Sequence, residues 1–347
     1  MVSQSNSISV NRANGKVSDR VLFNDWHVVA KAEDLQPHTL LRVRLLDTDL
    51  VLWQGENNMV CAWEDRCPHR SVRLSNGRVA GNTLVCSYHG LAYDSQGLCV
   101  KVPAHPDYTP PKQACVRTYL TQERYGLIYV CLGEPTQDIV AFTEWDDPTY
   151  HCYLTGPYPI RSNGLRAIEN FLDVAHFPFI HTGILGDPDK PEIDDYDVTM
   201  NENGVYARNI RVWQPDPYGK GMGDYVSYDY WAFRPLTAYL RKYSPSGECL
   251  TLLYHVAPVS ETECISWMSG ALNYGHEVSE ADIKAYQDKI VLQDLNNLES
   301  HYPQHLPLDS GLEFHLPSDR TSLIYRKWLK QLGISYGAQA TTSSANI

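Results

Sequence analysis

Short apolar runs at 21–30, 40–53, 60–63, 98–102 and 125–132 are rich in Val, Leu, Tyr and Trp, and Gly, Asn, Asp and Pro punctuate them. Such spacing predicts a small antiparallel β domain, which we bound at residues 20–135. Residues 1–19 offer Ser, Asn, Gly and charge with almost nothing to bury, and are expected to be a disordered tail. Residues 136–165 hold several Pro, Asp and Gly and read as a connection. A helical pattern starts at Leu165 and runs until Pro178 interferes. A loop at 186–196 and strand-like runs at 205–212, 225–243, 249–256 and 264–272 come next. A long helix is predicted over 279–298, with Ser279 as N-cap, and a shorter one over 319–332. The second domain, 136–336, is therefore an antiparallel sheet with flanking helices, of helix-grip type, and the chain as a whole is α+β. Residues 337–347 are polar and are expected to form a second disordered tail.

Composition narrows the function classes. The net charge of -12 over 347 residues excludes a basic nucleic-acid footprint. No apolar run approaches a membrane span, so no membrane association is expected. The first residues lack a basic-then-apolar pattern, so no signal peptide is expected either. Nine cysteines are scattered through the chain. Only Cys67 and Cys86 have ligand-type companions. The others, such as Cys61, Cys99 and Cys131, read as reduced core residues, and the expected location is the cytoplasm.

Those companions form Cys67-Pro68-His69 and, after sixteen intervening residues, Cys86-Ser87-Tyr88-His89. Two thiolates on one iron and two imidazoles on the other is the ligation of a Rieske 2Fe–2S centre. Zinc also takes two Cys and two His, but zinc motifs pair Cys with Cys and His with His along the chain. Arg66, Arg70, Arg73 and Arg78 surround the first loop. Read singly they are a solvated face; read together they form a docking patch for an acidic electron donor.

The segment from Glu169 to His181 sets Asp173, His176 and His181 among Phe, Leu, Ile, Val and Ala. Polar groups buried without partners are costly. Two imidazoles plus a carboxylate, with open positions, is the ligand set of non-haem Fe(II) oxygenases. His176 and His181 are five apart, roughly 140° around an ideal helix, so both reach one ion only if the helix breaks between them, and Pro178 supplies a break. Asp173 falls on the same helical face as His176 and suits a hydrogen bond to its imidazole. The alternative is a pair of ordinary core histidines. On the long helix Asp294 falls near the middle of the apolar stripe of Ile283, Ile290, Val291, Leu295 and Leu298, with Asp288 and Glu299 towards its edge. A carboxylate there is either a third ligand or half of a buried ion pair. Gly219-Lys-Gly-Met-Gly223 is a loop rather than a dinucleotide site, so electrons must come from a separate ferredoxin or flavin reductase.

Taken together, Cys67-x-His69, Cys86-x-x-His89, Asn170-Phe-Leu-Asp173-x-x-His176-x4-His181 and Gln293-Asp294 resemble the catalytic α subunits of Rieske non-haem iron oxygenases, over about residues 20–335. The resemblance implies a mononuclear iron held by His176, His181 and Asp294. It also implies a homotrimer, in which Asp173 bridges the cluster of one subunit to the iron of the next. The stretches from Glu123, from Glu144, from His176 and from Leu316 are similar to the Rieske hydroxylases of saxitoxin biosynthesis, and less so to the pheophorbide oxygenase group. Ser87 and Leu91 stand where the family often has Pro and Trp. The reading is a monooxygenase using O2 to hydroxylate an unactivated C–H bond of a small polycyclic substrate, with a guanidinium alkaloid among the candidates. Oxidative O- or N-demethylation and a Rieske electron carrier without catalysis are the alternatives. Asn170, Phe177, Tyr230, Trp231 and Trp267 are the candidate pocket residues.

Overall fold

The computed structural model describes residues 19–309 and 311–339. The chain divides into two compact units, one ending at Gln137 and the other beginning at Asp138.

The first unit is antiparallel β. After a helical turn, α1 (Arg20–Phe23), come β1 (His27–Lys31), β2 (Leu40–Leu45), β3 (Thr48–Gln54), β4 (Val60–Glu64), β5 (Arg78–Ala80), β6 (Thr83–Val85), β7 (Ala92–Asp94), β8 (Cys99–Lys101), β9 (Thr118–Arg124) and β10 (Leu127–Cys131). They form a six-stranded sheet in the order β1-β10-β9-β4-β3-β2 and a four-stranded sheet in the order β5-β6-β7-β8. Trp53, Trp63, Leu74, Leu84 and Tyr93 pack one buried cluster that also holds Cys67 and Cys86. The apolar run at 21–30 is not one strand. Its first part is α1, whose Leu22 is buried. The polar Thr118–Arg124 strand carries no apolar run and escaped the sequence pattern.

The second unit holds β11 (His151–Ile160), β12 (Asp197–Asn201), β13 (Gly204–Gln214), β14 (Asp224–Arg234), β15 (Thr237–Tyr243), β16 (Cys249–Pro258) and β17 (Cys264–Leu272). They make one antiparallel sheet in the order β11-β17-β16-β15-β14-β13-β12. The run at 225–243 is two strands, β14 and β15. The region read as a connection contains β11, whose Gly156, Pro157 and Pro159 imitate a turn. It is an edge strand, where proline is tolerated, and its pairing with β17 shifts register between Thr155 and Tyr158.

Four helices complete this unit: α2 (Gly164–Leu172), α3 (Phe177–Ile180), α4 (Glu280–Ser300) and α5 (Arg320–Gln331). Asn163 caps α2 by accepting from the Leu165 N–H, and Ser279 caps α4 by accepting from the Asp282 N–H. Period-two alternation sorts the sheet into two faces. Tyr228 and Tyr230 share one face with their neighbours Leu240, Leu252 and Gly270. Phe171 of α2 stacks on Tyr254 of that face and meets Tyr230 edge-on, with ring centroids 4.8 and 5.8 Å apart. Buried Arg326 of α5 grips Glu169 of α2 with two hydrogen bonds of 2.5 and 2.8 Å. Arg166 of α2 binds Glu313 at 2.8 Å. These charges hold the end of α2 in place. Of the expected tails, Asp19 is described and buried. Residues 337–339 are not tail either: Ala338–Gln339 pairs in parallel with Leu306–Pro307, because buried Ile334 and Tyr336 carry the chain back. The remainder of both tails lies outside the described residues.

Candidate metal centres

In the first unit, two hydrogen-bonded loops each close on a cysteine. The Cys67 N–H donates to the Val72 carbonyl at 2.8 Å and the Ser71 N–H to the Cys67 carbonyl at 2.8 Å. The Cys86 N–H donates to the Leu91 carbonyl at 2.9 Å and the Gly90 N–H to the Cys86 carbonyl at 3.1 Å. Gly90 has φ +68, a conformation that favours glycine. Asp65, fully buried, accepts from the Ser75 N–H and hydroxyl, both at 2.7 Å, and so pins the first loop. Cys67 and Cys86 are buried while His69 and His89 are exposed, with the two imidazole centroids 4.6 Å apart. The set thus offers sulfur on the inside and nitrogen on the outside, in the order that a 2Fe–2S rhomb requires when two cysteines hold one iron and two histidines the other. The Tyr93 hydroxyl lies 3.2 Å from Cys67 Sγ. Burial raises the Cys86 thiol, the Tyr88 and His89 backbone N–H groups oppose that, and neighbouring Cys67 adds to it. Two buried sulfurs side by side are suited to a cationic iron cluster that would hold them as thiolates.

The arginines around this loop are not one patch. Arg66 and Arg73 bind Asp49 at 3.3 and 3.1 Å, and Arg73 also reaches Asp65 at 3.3 Å. They brace the loop. Arg70 and Arg78 are the exposed members.

In the second unit the helix breaks earlier than Pro178. Asp173 ends α2 in an extended conformation, φ -90 and ψ 138. Pro178 sits inside the first turn of α3, where its missing N–H is harmless. His176 and His181 are the two caps of that short helix. This turn and break bring Nε2 of His176 within 3.2 Å of Nε2 of His181. Asp294 Oδ1, from α4, lies 3.5 Å from the first and 3.2 Å from the second.

The other ring nitrogens define what these atoms are. His176 Nδ1 lies 2.8 Å from Asp173 Oδ2, and His181 Nδ1 lies 2.9 Å from the Gln293 amide oxygen. Both partners accept, so both Nδ1 atoms carry a proton, and in the neutral imidazoles both Nε2 atoms are bare lone pairs. Asp294 Oδ1 is buried without a hydrogen-bond donor. With both imidazoles neutral, its contacts with the two Nε2 atoms are therefore not hydrogen bonds but three acceptors facing one another, a gap that a proton or a metal ion would fill. The three atoms lie within 4.8 Å of one another, a spacing that suits donors sharing one first-row ion at about 2.1 Å. Burial disfavours charge on His181, yet Asp294, with Gln293, outweighs it and lifts that pKa, so the site draws positive charge. Burial alone would raise Asp173. The imidazole of His176 and the N–H groups of Ala175 and His176 instead hold it below the ordinary carboxylate range.

The other carboxylates of α4 are engaged elsewhere. Asp288 accepts from the Tyr158 hydroxyl at 2.5 Å and Glu299 from Arg161 at 2.7 Å. Gln293 was missed as a partner of His181, although it adjoins Asp294 in sequence. Among the expected pocket residues, Phe177 packs against His176 and His181 with centroids 5.0 and 5.8 Å away. Tyr230 is buried on the same face as Tyr228 and stacks on it at 5.8 Å. Asn170 is half-buried one turn before Asp173, whose N–H it receives at 3.2 Å. Trp231 and Trp267 do not belong to this group. Alternation puts them on the opposite face, Trp231 against Tyr239 at 5.2 Å and Trp267 beside His255 in register.

Comparison with known proteins agrees with both halves. Residues 25–119 match the Rieske [2Fe-2S] domain family, and residues 160–333 match the vanillate O-demethylase oxygenase C-terminal domain family. The methylxanthine N1-demethylase NdmA of Pseudomonas putida is 32% identical over 329 residues, 92% of either chain. The oxidoreductase NdmD of the same organism is 39% identical over 122 residues, 35% of this chain and 21% of that one. The solved structure of NdmA with caffeine superposes with a TM-score of 0.77 at 30% identity, covering 89% of this chain and 90% of that one.

Proposed function

The chain belongs to the Rieske non-haem iron oxygenases, and from that premise we propose that it is the terminal oxygenase of an oxidative demethylase acting on a small N- or O-methylated aromatic compound. It is a monooxygenase of that family and uses a Rieske cluster and a mononuclear non-haem iron. The proposed cluster ligands are Cys67, His69, Cys86 and His89. The proposed iron ligands are His176, His181 and Asp294, and the convergence of their three bare acceptor atoms is the observation that carries the reading.

Bound there, the iron supplies O2 activation and C–H hydroxylation. Balanced over the cycle, an N-methyl substrate, O2, two electrons and two protons give the N–H product, formaldehyde and water. The chain's own residues set the stage. Asp173 and Gln293 fix the imidazole tautomers, and Phe177 walls the ligand rings with apolar surface.

Demethylation replaces the guanidinium-alkaloid hydroxylation expected from the saxitoxin-type resemblance. Of the carboxylates on α2 and α4 around the site, Asp173 is held by His176 and Asp288 by Tyr158, and Asp294 is a proposed iron ligand, so none of these three is left for a guanidinium. The similarity to NdmA over nearly the whole chain favours a methylated substrate. A separate reductase supplies the electrons in this reading, and the likeness to the oxidoreductase NdmD supports it. The homotrimer, with Asp173 as the bridge between subunits, and a cytoplasmic location are kept as parts of the proposal. Among the described residues no helix is long and apolar enough to cross a membrane.

The test is turnover with a reductase and a panel of methylxanthines and methoxybenzoates. Formaldehyde released in proportion to demethylated product is expected. A hydroxylated product that retains its methyl group overturns the reading.

A further inference from the structure

Gln214 ends β13 and is 0% exposed, and Tyr228 lies beside it on β14, 3% exposed. The Gln214 amide Nε2 donates to the Tyr228 hydroxyl oxygen at 2.8 Å. The amide oxygen of Gln214 is left buried without a donor. Among the described residues, the Tyr228 hydroxyl hydrogen has no acceptor. Exchanging the amide nitrogen and oxygen keeps both kinds of group free. The couple then shows amide N–H groups and a phenolic lone pair instead of an O–H, the second amide N–H and a carbonyl. Either way it presents at least one donor and one acceptor side by side.

The couple belongs to the iron-side face of the sheet. The Tyr228 ring lies 5.8 Å from Phe177, and Phe177 touches both ligand imidazoles. A Leu and a Phe at these positions would fill the same space with no unsatisfied polar group. Burying an amide and a hydroxyl half-satisfied costs stability, and such groups call for a partner from outside the chain.

We propose that Gln214 and Tyr228 form the specificity-determining couple of the substrate site, reading an edge on which a carbonyl adjoins a ring N–H. The substrate class is then a methylated heteroaromatic cyclic amide, held by that edge while a methyl group elsewhere on the ring faces the iron. This rests on the demethylase reading and narrows it. A site that hydrogen-bonds a substrate group rejects the analogue lacking it far better than an apolar pocket rejects a shape.

The test is equilibrium dialysis of the holoenzyme against 3,7-dimethylxanthine, whose ring N–H lies between two carbonyls, 1,3,7-trimethylxanthine, in which that position is methylated, and 1-methyluracil. Wild type is expected to prefer the dimethyl over the trimethyl compound. Gln214→Leu should erase that preference, by about 10- to 100-fold in the ratio of dissociation constants. Tyr228→Phe should weaken every cyclic amide bound and leave 4-methoxybenzoate unchanged. Variants are compared only with unchanged melting temperature and iron content. A preference that survives Gln214→Leu overturns the proposal and leaves the couple holding an ordered water only. Failure of wild type to bind any of the three cyclic amides overturns it as well. Formaldehyde assays keep the two readings apart. Turnover with an unchanged preference in Gln214→Leu defeats this inference alone. A lost preference without formaldehyde from any probe defeats demethylation alone.

Discussion

Asp294 Oδ1 is a buried carboxylate oxygen whose nearest neighbours, at 3.2 and 3.5 Å, are two imidazole nitrogens that are lone pairs in the neutral rings. That arrangement is repulsive unless a proton or a metal ion completes it, and the donor set suits the metal. Asp294→Ala is therefore expected to release the mononuclear iron, leaving about two irons per chain in place of about three, with the Rieske absorbance unchanged. Iron analysis with a visible spectrum checks this, and retention of the third iron would show that another carboxylate serves. At this scale the sequence is informative where chemistry forces residue types. The Cys and His spacings, the two histidines and the carboxylate on the apolar stripe of the long helix are visible without coordinates. The contacts of Gln293 with His181 and of Tyr93 with Cys67 are not, because a neutral side chain that orients a histidine or cysteine carries no signature of its own. Trp231 and Trp267 were misassigned for a different reason. Aromatic content says a position is packed, and only strand register says on which face.

The elements show why His176 and His181 meet. An unbroken helix would spread them, and the break falls at Asp173, ahead of the proline that suggested it. Pro178 opens α3 instead, and the short helix turns back through a bridge between Thr182 and Gly186. The Gly186 backbone lies so close that a Cβ there would sit 2.6 Å from Pro178 N and 2.8 Å from Phe177 C. Those are main-chain atoms of the helix between the two histidines, and they cannot rotate away. Gly186→Ala should displace α3 at a cost of about 1–3 kcal/mol. The expected result is a chain with an intact Rieske spectrum and mononuclear iron occupancy reduced several-fold. If Gly186→Ala holds iron as wild type does, α3 is more yielding than this packing implies. Helix existence was legible here, since the apolar pattern and Ser279 cap predict α4 to within a few residues. The position of the break was not, because any of several residues before a proline can leave the helical conformation.

Across the whole molecule, an unneeded buried charge is the cost most easily measured. Lys242 of β15 is 6% exposed and sits in register with Tyr228. Its Nζ donates to the Pro217 carbonyl at 2.7 Å. Burial pushes its pKa down to about 7, against a smaller opposing pull from Asp216. The unfolded chain binds that proton up to about pH 10.4, whereas the folded chain releases it near 7. The unfolded state therefore binds more protons between those limits, and folding stability rises with pH across the window, by up to about 1.4 kcal/mol per pH unit from this group. Below pH 7 both states carry the proton and the full burial cost remains. Lys242→Met removes the group and its slope. The variant should equal or exceed wild type in stability near pH 6.5, and wild type should gain about 2–3 kcal/mol on it between pH 7.5 and 9.5. Urea unfolding of both proteins at each pH reads the difference, in which the other titrating groups cancel. A stability gap that stays flat with pH would mean that Lys242 keeps its proton in the fold, the Pro217 carbonyl and Asp216 together compensating for its burial.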